Sequence, residues 1–265
     1  MIKSNSINKV WTRALWHVAT HGELSAPRGL LIKECLGMSL QFPLTTPLLT
    51  VPERKVNHAY MAAEVCWMLS GSNRVEDIQP WAPSYGEKYS DDGETVYGAY
   101  GPKLAAQLPY VIQALIDDPS TRQAVISTWI ESPKKSKDIP CTTSLQWLIR
   151  NGKLHCINTM RSSDLWLGWP NDVFTFAMVS QYIMLYLRRA GVHVELGNLI
   201  FNAGSMHLYE KNWEKAKACI QSGLLTPDGS PPAKAPVWNE WMFPTPEDLC
   251  VFFSLAKTGQ ATFIQ

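Results

Sequence analysis

Residues 140–172 read PCTTSLQWLIRNGKLHCINTMRSSDLWLGWPND, and this stretch decides the fold. Two runs of apolar and β-forming side chains flank the dipeptide Asn151-Gly152. Asn-Gly is the strongest short signal for a two-residue hairpin turn, because both positions tolerate a positive φ angle. The stretch therefore predicts two adjacent antiparallel strands.

The pairing expected from this turn brings a cysteine close to an arginine. Counted outward without a bulge, it places Thr142 opposite Arg161 and Cys141 opposite Ser162, with Cβ atoms about 4.5–5.5 Å apart. A nearby guanidinium favours the nucleophilic thiolate, and arginine with serine can hold a phosphate. The alternative is that Cys141 is an ordinary buried small side chain, the commoner role of a free cysteine.

The remaining chain predicts a mixture of helices, strands and loops. Apolar periodicity predicts helices over 6–21, 57–69, 102–117, 172–190 and 207–221, and extended segments over 30–42, 123–130 and 193–203. We expect a long ordered loop over 72–100, a solvated loop over 132–138 and an irregular tail from 225. Together these elements predict one α+β domain over residues 1–265.

Composition excludes several classes of function. The chain has 265 residues, of which 46% are hydrophobic and 18% charged, so disorder is not expected. The net charge of +1 gives no general attraction to nucleic acid or to a membrane, so any phosphate must be held by a few placed residues. The 6 cysteines form no CxxC pair, which argues against zinc and against a disulfide framework. Without a signal peptide or apolar span, we expect a cytoplasmic protein.

A series of motifs resembles the thymidylate synthase family over roughly residues 10–215. The central motifs are Pro140-Cys141, RSxD at 161–164, LGxPxx at 167–172 and GSMHLY at 204–209, with weaker matches at Arg28-Gly29, 42–46, 62–71 and 96–101. The resemblance implies an α+β fold whose large twisted mixed sheet, flanked by helices, packs against its copy in a homodimer. It also implies transfer of a one-carbon unit from 5,10-methylenetetrahydrofolate to C5 of a pyrimidine nucleotide.

The same resemblance implies roles for the nucleotide-binding residues. Cys141 matches the nucleophile that adds to C6 of the base. The matches to phosphate ligands are Arg28, Arg161, Ser162 and, from the partner subunit, Arg122. The family usually has a second arginine next to the last of these, where this chain has Gln123. His207 and Tyr209 match the pair that binds the 3′-hydroxyl of the sugar.

Three further matches concern proton transfer and folate. Glu64 matches the carboxylate that organises water and relays protons. Tyr97 matches a residue near the water that takes the C5 proton. Asp164 matches a residue near the folate ring.

The position that reads the base favours cytosine over uracil. Thymidylate synthases end the LGxPxN motif in an asparagine that accepts from N3–H and donates to O4 of uracil; here the position is Asp172. An ionised carboxylate only accepts, so it suits the N4 amino group of cytosine and a protonated N3. This change, with GSxHxY in place of GDxHxY, resembles deoxycytidylate hydroxymethylases. The alternative is a slip of one residue that makes Asn171 the reader and Asp172 a helix N-cap.

The choice between a methyl and a hydroxymethyl product depends on whether water reaches the transferred carbon. Methylating relatives shield this carbon with a tryptophan in an IWxxW-like segment. Here Ile78 takes the shielding position and Trp81 keeps the second one, and the resemblance implies that both bind folate. The end of the chain, GQATFIQ (259–265), does not match the closing peptide of methylating members. We therefore expect hydroxymethylation of dCMP or CMP; the sugar stays open.

The sequence also leaves other functions open. Cytidylate methylation and thymidylate synthesis from dUMP are alternatives within the family, and a nucleotide-binding module without catalysis is one outside it. His17 and His21 have a spacing that can bind metal, but no third ligand accompanies them. Cys141, Asn202 and His207 contain the residue types of a thiol hydrolase without its local signatures.

Overall fold

A computed structural model describes residues 1–224, 238–239 and 242–262. The strands of this part of the chain are β1 (Ile2–Lys3), β2 (Glu23–Ser25), β3 (Ile32–Pro43), β4 (Val125–Ser127), β5 (Thr142–Arg150), β6 (Lys153–Asp164) and β7 (Glu195–Tyr209). The helices are α1 (Ile7–His21), α2 (His58–Leu69), α3 (Tyr85–Tyr89), α4 (Gly101–Asp117), α5 (Trp169–Arg189), α6 (Trp213–Leu224) and α7 (Pro246–Ala256).

The strands form one mixed sheet, which confirms the predicted α+β class. Its order is β1-β3-β7-β6-β5-β4, and β2 pairs with β3. The long strands β6 and β7 are parallel, whereas β3 runs antiparallel to β7 and β5 runs antiparallel to β6. As a result, β6 and β7 end at the edge of the sheet where β3 and β5 begin. Segments that are distant in sequence meet at that edge.

The hairpin between β5 and β6 forms as predicted, but its register changes before the cysteine. Asn151 and Gly152 have φ angles of 52° and 70°, as a tight hairpin turn requires. A β-bulge between Thr142 and Ser144 then pairs Thr142 with Met160. The expected pairing with Arg161 was therefore wrong, and so was the pairing of Cys141 with Ser162. The carbonyl of Cys141 instead accepts from the backbone N–H of Arg161 at 2.8 Å.

Helix α5 forms the centre of the core. Its length and apolar content follow from burial on several sides: 15 of its 21 residues are buried. Trp147 of the sheet is fully buried against it and donates its indole N–H to Ser180 at 2.9 Å. The indole of Trp11, on α1, donates to the carbonyl of Leu165 at 2.7 Å, which ties the first helix to the loop before α5. This packing fixes where α5 begins.

Three predicted segments differ from the structure. Strand β4 covers only three residues of the expected 123–130. The expected helix over 207–221 begins at Trp213, because residues up to Tyr209 continue the pairing of β7 with β3. The region 72–100 contains the short helix α3 and a 3₁₀ turn.

The tail from 225 was expected to be irregular. Residues 225–237, 240–241 and 263–265 lie outside the described part. Within the described part of the tail, α7 is a helix. Thr245 caps it by accepting from the backbone N–H of Asp248, and Pro246 follows the cap, a usual start signal. No helix in the described residues is long and apolar enough to cross a membrane.

Candidate active site

A cavity of about 800 Å³ opens at the edge of the sheet where β6 and β7 end. This volume lies within the range of small-molecule sites in proteins. The cavity is lined by ten of the residues predicted from the sequence: Arg28, Glu64, Trp81, Cys141, Arg161, Ser162, Asp164, Asp172, His207 and Tyr209. They come together because the segments before β3 and β5, the ends of β6 and β7 and the start of α5 share this edge.

The thiol of Cys141 lies beside a rigidly held guanidinium. Arg161 Nη2 is 3.5 Å from Sγ, and the hydroxyl of Ser162 is 3.9 Å from it. Arg161 also donates from Nε to the carbonyl of Pro140 and from Nη2 to that of Ile139, both at 2.9 Å. These bonds fix the guanidinium plane next to the sulfur.

Burial and charge act in opposite directions on this thiol. Burial raises the pKa of Cys141 above its ordinary value, whereas Arg161 and the hydrogen bond from Ser162 lower it. Since burial is the larger effect, the thiol is protonated at rest. The expected stabilisation of the thiolate by Arg161 is present but is not sufficient by itself.

Glu64, on α2, is a buried carboxyl group with both oxygens partnered. The hydroxyl of Tyr60 donates to Oε1 at 3.0 Å, and that of Thr175 donates to Oε2 at 3.3 Å. Burial raises the pKa of Glu64 to about 7, although both hydrogen bonds oppose the shift. Such a group can take up or give a proton near neutral pH.

Asp172 lies in the first turn of α5 and does not cap the helix. The N-cap position is Gly168, and no side chain caps the helix there. The amide of Asn171 donates to the carbonyl of Leu167 at 3.0 Å, so this side chain already serves the helix start. Both residues line the cavity. These contacts favour Asp172 over Asn171 as the group that reads a ligand.

The carboxyl group of Asp172 accepts no hydrogen bond from another side chain in the described part of the chain. Burial raises its pKa well above the ordinary value, and the charges of Glu64 and Asp164 add to the shift. This shift favours the protonated form of the carboxyl group. In that form it has one donor and one acceptor to offer.

The ends of β6 and β7 place a carboxylate beside an imidazole. Asp164 pairs with His207 in the parallel register of these strands. Asp164 Oδ1 accepts from the backbone N–H groups of Trp166 and Leu167, at 2.8 and 3.2 Å. Burial lowers the pKa of His207, so its ring is neutral at pH 7. That ring meets the ring of Tyr209 edge to face, at 5.2 Å between centroids.

A family model for thymidylate synthase matches residues 9–228. The chain belongs to the thymidylate synthase family. It is therefore a folate-dependent transferase of one-carbon groups to a pyrimidine nucleotide. The match covers every residue that lines the cavity, which makes this cavity the candidate reaction site.

The residues of this family member fit a bound folate in one respect that the structure makes visible. Asp164 Oδ2 is buried and has no hydrogen-bond partner among the described residues. A buried, unpaired acceptor is costly unless a ligand fills it, and a pterin ring offers N–H donors. Trp81 and Leu167 line the cavity with apolar surface. In the described residues, no group of three or more potential metal ligands is present.

Three of the predicted site residues do not line the cavity. Ile78 is fully buried in a separate small cluster with Trp67 and Val75. The hydroxyl of Tyr97 accepts from the backbone N–H of Lys134 at 3.2 Å, which directs it to the loop over 132–138. Arg122 is exposed just before β4.

Arg28 and Trp81 are the two remaining predicted residues that line the cavity. Arg28 lies in a turn with a φ angle of 55°, followed by Gly29 at 76°, and is exposed at the cavity entrance. The indole of Trp81 donates to the carbonyl of Lys257 at 2.6 Å, so the C-terminal segment contacts the cavity wall.

Several cavity residues were missed by the sequence analysis. They are Arg54, Tyr60, Tyr89, Asp138 and Lys211. Arg54 donates from Nε to the carbonyl of Trp166 at 2.9 Å and stacks over its ring. Only Asp138 carried a signal that sequence reasoning could have used, namely a charged residue two positions before Pro140-Cys141.

Proposed function

We propose that this chain converts dCMP or CMP to the 5-hydroxymethyl nucleotide, using 5,10-methylenetetrahydrofolate and water. The observation that carries the proposal is the carboxyl group of Asp172, which lines the same cavity as Cys141 and accepts no side-chain hydrogen bond from the described residues. An asparagine at this position would present a fixed donor and acceptor. A carboxyl group can also exchange a proton with the base.

The protonated carboxyl group of Asp172 complements cytosine before any reaction. Its O–H donates to N3, and its second oxygen accepts from the N4 amino group. When Cys141 adds to C6, electron density moves toward N3, which takes the proton from Asp172. The resulting carboxylate accepts from both N3–H and N4–H, so the charge pair forms only as the reaction proceeds. Uracil has no basic nitrogen at N3 to receive this proton.

Cys141 and Arg161 then act together on the nucleotide. Arg28, Arg161 and Ser162 bind the phosphate, and the Cys141 thiol loses its proton to water in the open cavity, which generates the nucleophilic thiolate. Addition to C6 makes C5 nucleophilic. The bound folate supplies the one-carbon unit that C5 accepts. Glu64, held by Tyr60 and Thr175, relays protons at the base through its near-neutral carboxyl group.

Water capture is supported by the cavity wall. The position expected to shield the transferred carbon is Ile78, and this side chain is buried away from the cavity. From the IWxxW-like segment, the indole of Trp81 lines the cavity. Water therefore reaches the transferred carbon more readily than it would behind a second indole.

We also propose a homodimer, in which Arg122 serves the phosphate site of the partner subunit. Arg122 is exposed and lies outside its own cavity. An arginine that acts across a dimer must be free of its own site. The carbonyl of Arg122, in contrast, is held by the side chain of Gln146 at 2.9 Å, which fixes the backbone from which it extends.

Substrate and product are tested together. The protein is incubated with 5,10-methylenetetrahydrofolate and with dCMP, CMP or dUMP, each tritiated at C5. We expect tritium release from a cytidylate, a product heavier by CH₂O, and no dihydrofolate. Turnover of dUMP but of neither cytidylate would overturn the role of Asp172. Formation of dihydrofolate would indicate methylation, and binding without turnover would indicate a binding module.

A further inference from the structure

Asp138 is an acidic group of the cavity that the roles above leave unused. It ends the loop over 132–138, three residues before Cys141, and lines the same cavity as Cys141 and Arg161. It forms no ion pair with Arg161 within 4.0 Å, so it does not neutralise that guanidinium directly. The backbone of Gly98 lies close to the Asp138 carboxylate and lowers its pKa.

The backbone is shaped to admit this carboxylate. A Cβ atom placed on Gly98 would lie 2.3 Å from Asp138 Oδ2 and 3.0 Å from the Asp138 carbonyl oxygen. Any side chain at position 98 would therefore displace the carboxylate. The loop is also anchored from below, because Asp91 accepts from the backbone N–H of Lys137 at 3.0 Å. The position of Asp138 is thus determined by several contacts.

A carboxylate at this place opposes the first steps of the reaction. Its charge raises the pKa of the Cys141 thiol. It also lies in a cavity that must receive a phosphate. A side chain that hinders formation of the thiolate and binding of the nucleotide is expected to contribute to a later step.

Comparison with Glu64 indicates which step. Both Glu64 oxygens accept hydrogen bonds from protein hydroxyl groups, whereas no protein side chain in the described residues donates to Asp138. Burial raises the pKa of Asp138 to about 6, close to the pH at which a general base works best. The neighbouring groups that act on it are Arg161 and Asp91, while Tyr85, Tyr89 and Cys141 respond to its charge.

We propose that Asp138 is the general base for the water that captures the transferred carbon, an inference that rests on the proposed hydroxymethylation. The nucleotide then carries an exocyclic methylene at C5 and the Cys141 sulfur at C6. The water oxygen bonds to the methylene carbon, the double bond moves to C5–C6, and the C6–S bond breaks with its electron pair on sulfur. The proton lost by water passes to Asp138.

The test separates water capture from the steps before it. In Asp138→Asn, a single turnover should release one equivalent of C5 tritium per active site. Formation of the hydroxymethyl product should fall by roughly 10²-fold or more, the usual contribution of a general base. A covalent complex of protein, nucleotide and one-carbon unit should accumulate, visible in the intact mass. Azide, an anion that needs no deprotonation, should restore turnover and give a 5-azidomethyl product.

Two further variants act as controls. Gly98→Ala, which displaces the carboxylate, should reproduce the loss of hydroxymethyl product, and its combination with Asp138→Asn should add little. Glu131→Gln removes an exposed carboxylate from the preceding segment and should behave as wild type.

Full hydroxymethylation by Asp138→Asn would overturn the proposal, and so would loss of tritium release together with the product. A methylated product from the wild-type chain would remove the water step altogether. That result contradicts the proposed function itself and is seen without any variant, so the two failures are distinguishable.

Discussion

Two carboxyl groups in one cavity, Glu64 on α2 and Asp172 at the start of α5, have the same cause for their shifted pKa values and different surroundings. Burial raises both pKa values. Glu64 has both oxygens filled by Tyr60 and Thr175, whereas Asp172 receives no such bond from the described residues. A partnered carboxyl group is held in place and exchanges protons, whereas an unpartnered one is open to a ligand. The difference supports the proposed roles of Glu64 as a proton relay and of Asp172 as the base reader.

Loss of Cys141 should have the largest effect, because the proposed roles of Glu64 and Asp172 both depend on its addition to the base. Cys141→Ala leaves no nucleophile for C6, so C5 is never activated. Tritium release from cytidylate should fall on the order of 10⁴-fold or more. Nucleotide binding, measured by calorimetry, should persist because the arginines are unchanged. Tritium release near the wild-type rate would show that another group is the nucleophile.

The next largest effect is a change in the preference between cytosine and uracil. Asp172→Asn replaces a proton-exchanging group by a fixed donor and acceptor that suit uracil. Turnover of cytidylate should fall by roughly 10²–10⁴-fold, since a buried polar mismatch is strongly rejected, and turnover of dUMP should rise. Both are measured as kcat/KM from tritium release. Glu64→Gln is the matched control: it should lower turnover without changing the order of preference between the two bases.

A third prediction concerns stability and pH. The pKa of Glu64 is about 7 in the folded protein against an ordinary value of 4.5. Ionisation therefore destabilises the folded state as pH rises from 4.5 to 7. Below 4.5, Glu64→Gln should match the wild type; above 7 it should be more stable, by at most about 3 kcal/mol. Urea unfolding at pH 4.5 and pH 8 measures this. An equal difference at both pH values would contradict the burial argument.

The smallest effect is expected when Glu64 loses one of its two hydrogen-bond donors and keeps the other. Thr175→Val removes the hydrogen bond to Oε2 and leaves the one from Tyr60. Because that bond lowers the pKa of Glu64, its loss should raise the pKa above about 7. We expect a stability loss of about 0.5–1.5 kcal/mol at pH 8. The corresponding change at Thr128, which donates to a backbone carbonyl at 2.5 Å, should affect stability without moving the pH profile.

Much of the fold could be predicted because its signals are local. The turn at Asn151-Gly152 and the apolar period of α1 and α2 depend only on neighbouring residues. The register at Cys141 could not be predicted, because the bulge at Thr142 depends on the whole sheet. The extension of β7 through His207 likewise depends on pairing with β3, which overrides the helical pattern of the sequence.

The candidate site was predicted to a similar extent. The motifs identified ten of the residues that line the cavity, because each of them has a side chain whose chemistry suits one role in the reaction. Tyr97 has the residue type that the family predicts, and Ile78 stands where methylating relatives have a tryptophan. The structure nevertheless buries Ile78 in a separate cluster and directs Tyr97 to the loop over 132–138. Asp138 was missed because an aspartate in a polar loop looks solvated until Gly98 and Arg161 are placed around it.

The sequence by itself determined the family, the hairpin and the identity of the groups available for chemistry, because those depend on residue types in order. The tertiary structure alone decided which carboxyl groups are buried, which are partnered and which lie beside Cys141. Proton affinity depends on solvent exclusion and on neighbouring charges, and those neighbours come from α2, α5 and the edge of the sheet. The sequence shows Glu64, Asp138 and Asp172 only as three carboxyl groups. Their different surroundings give them different chemistry.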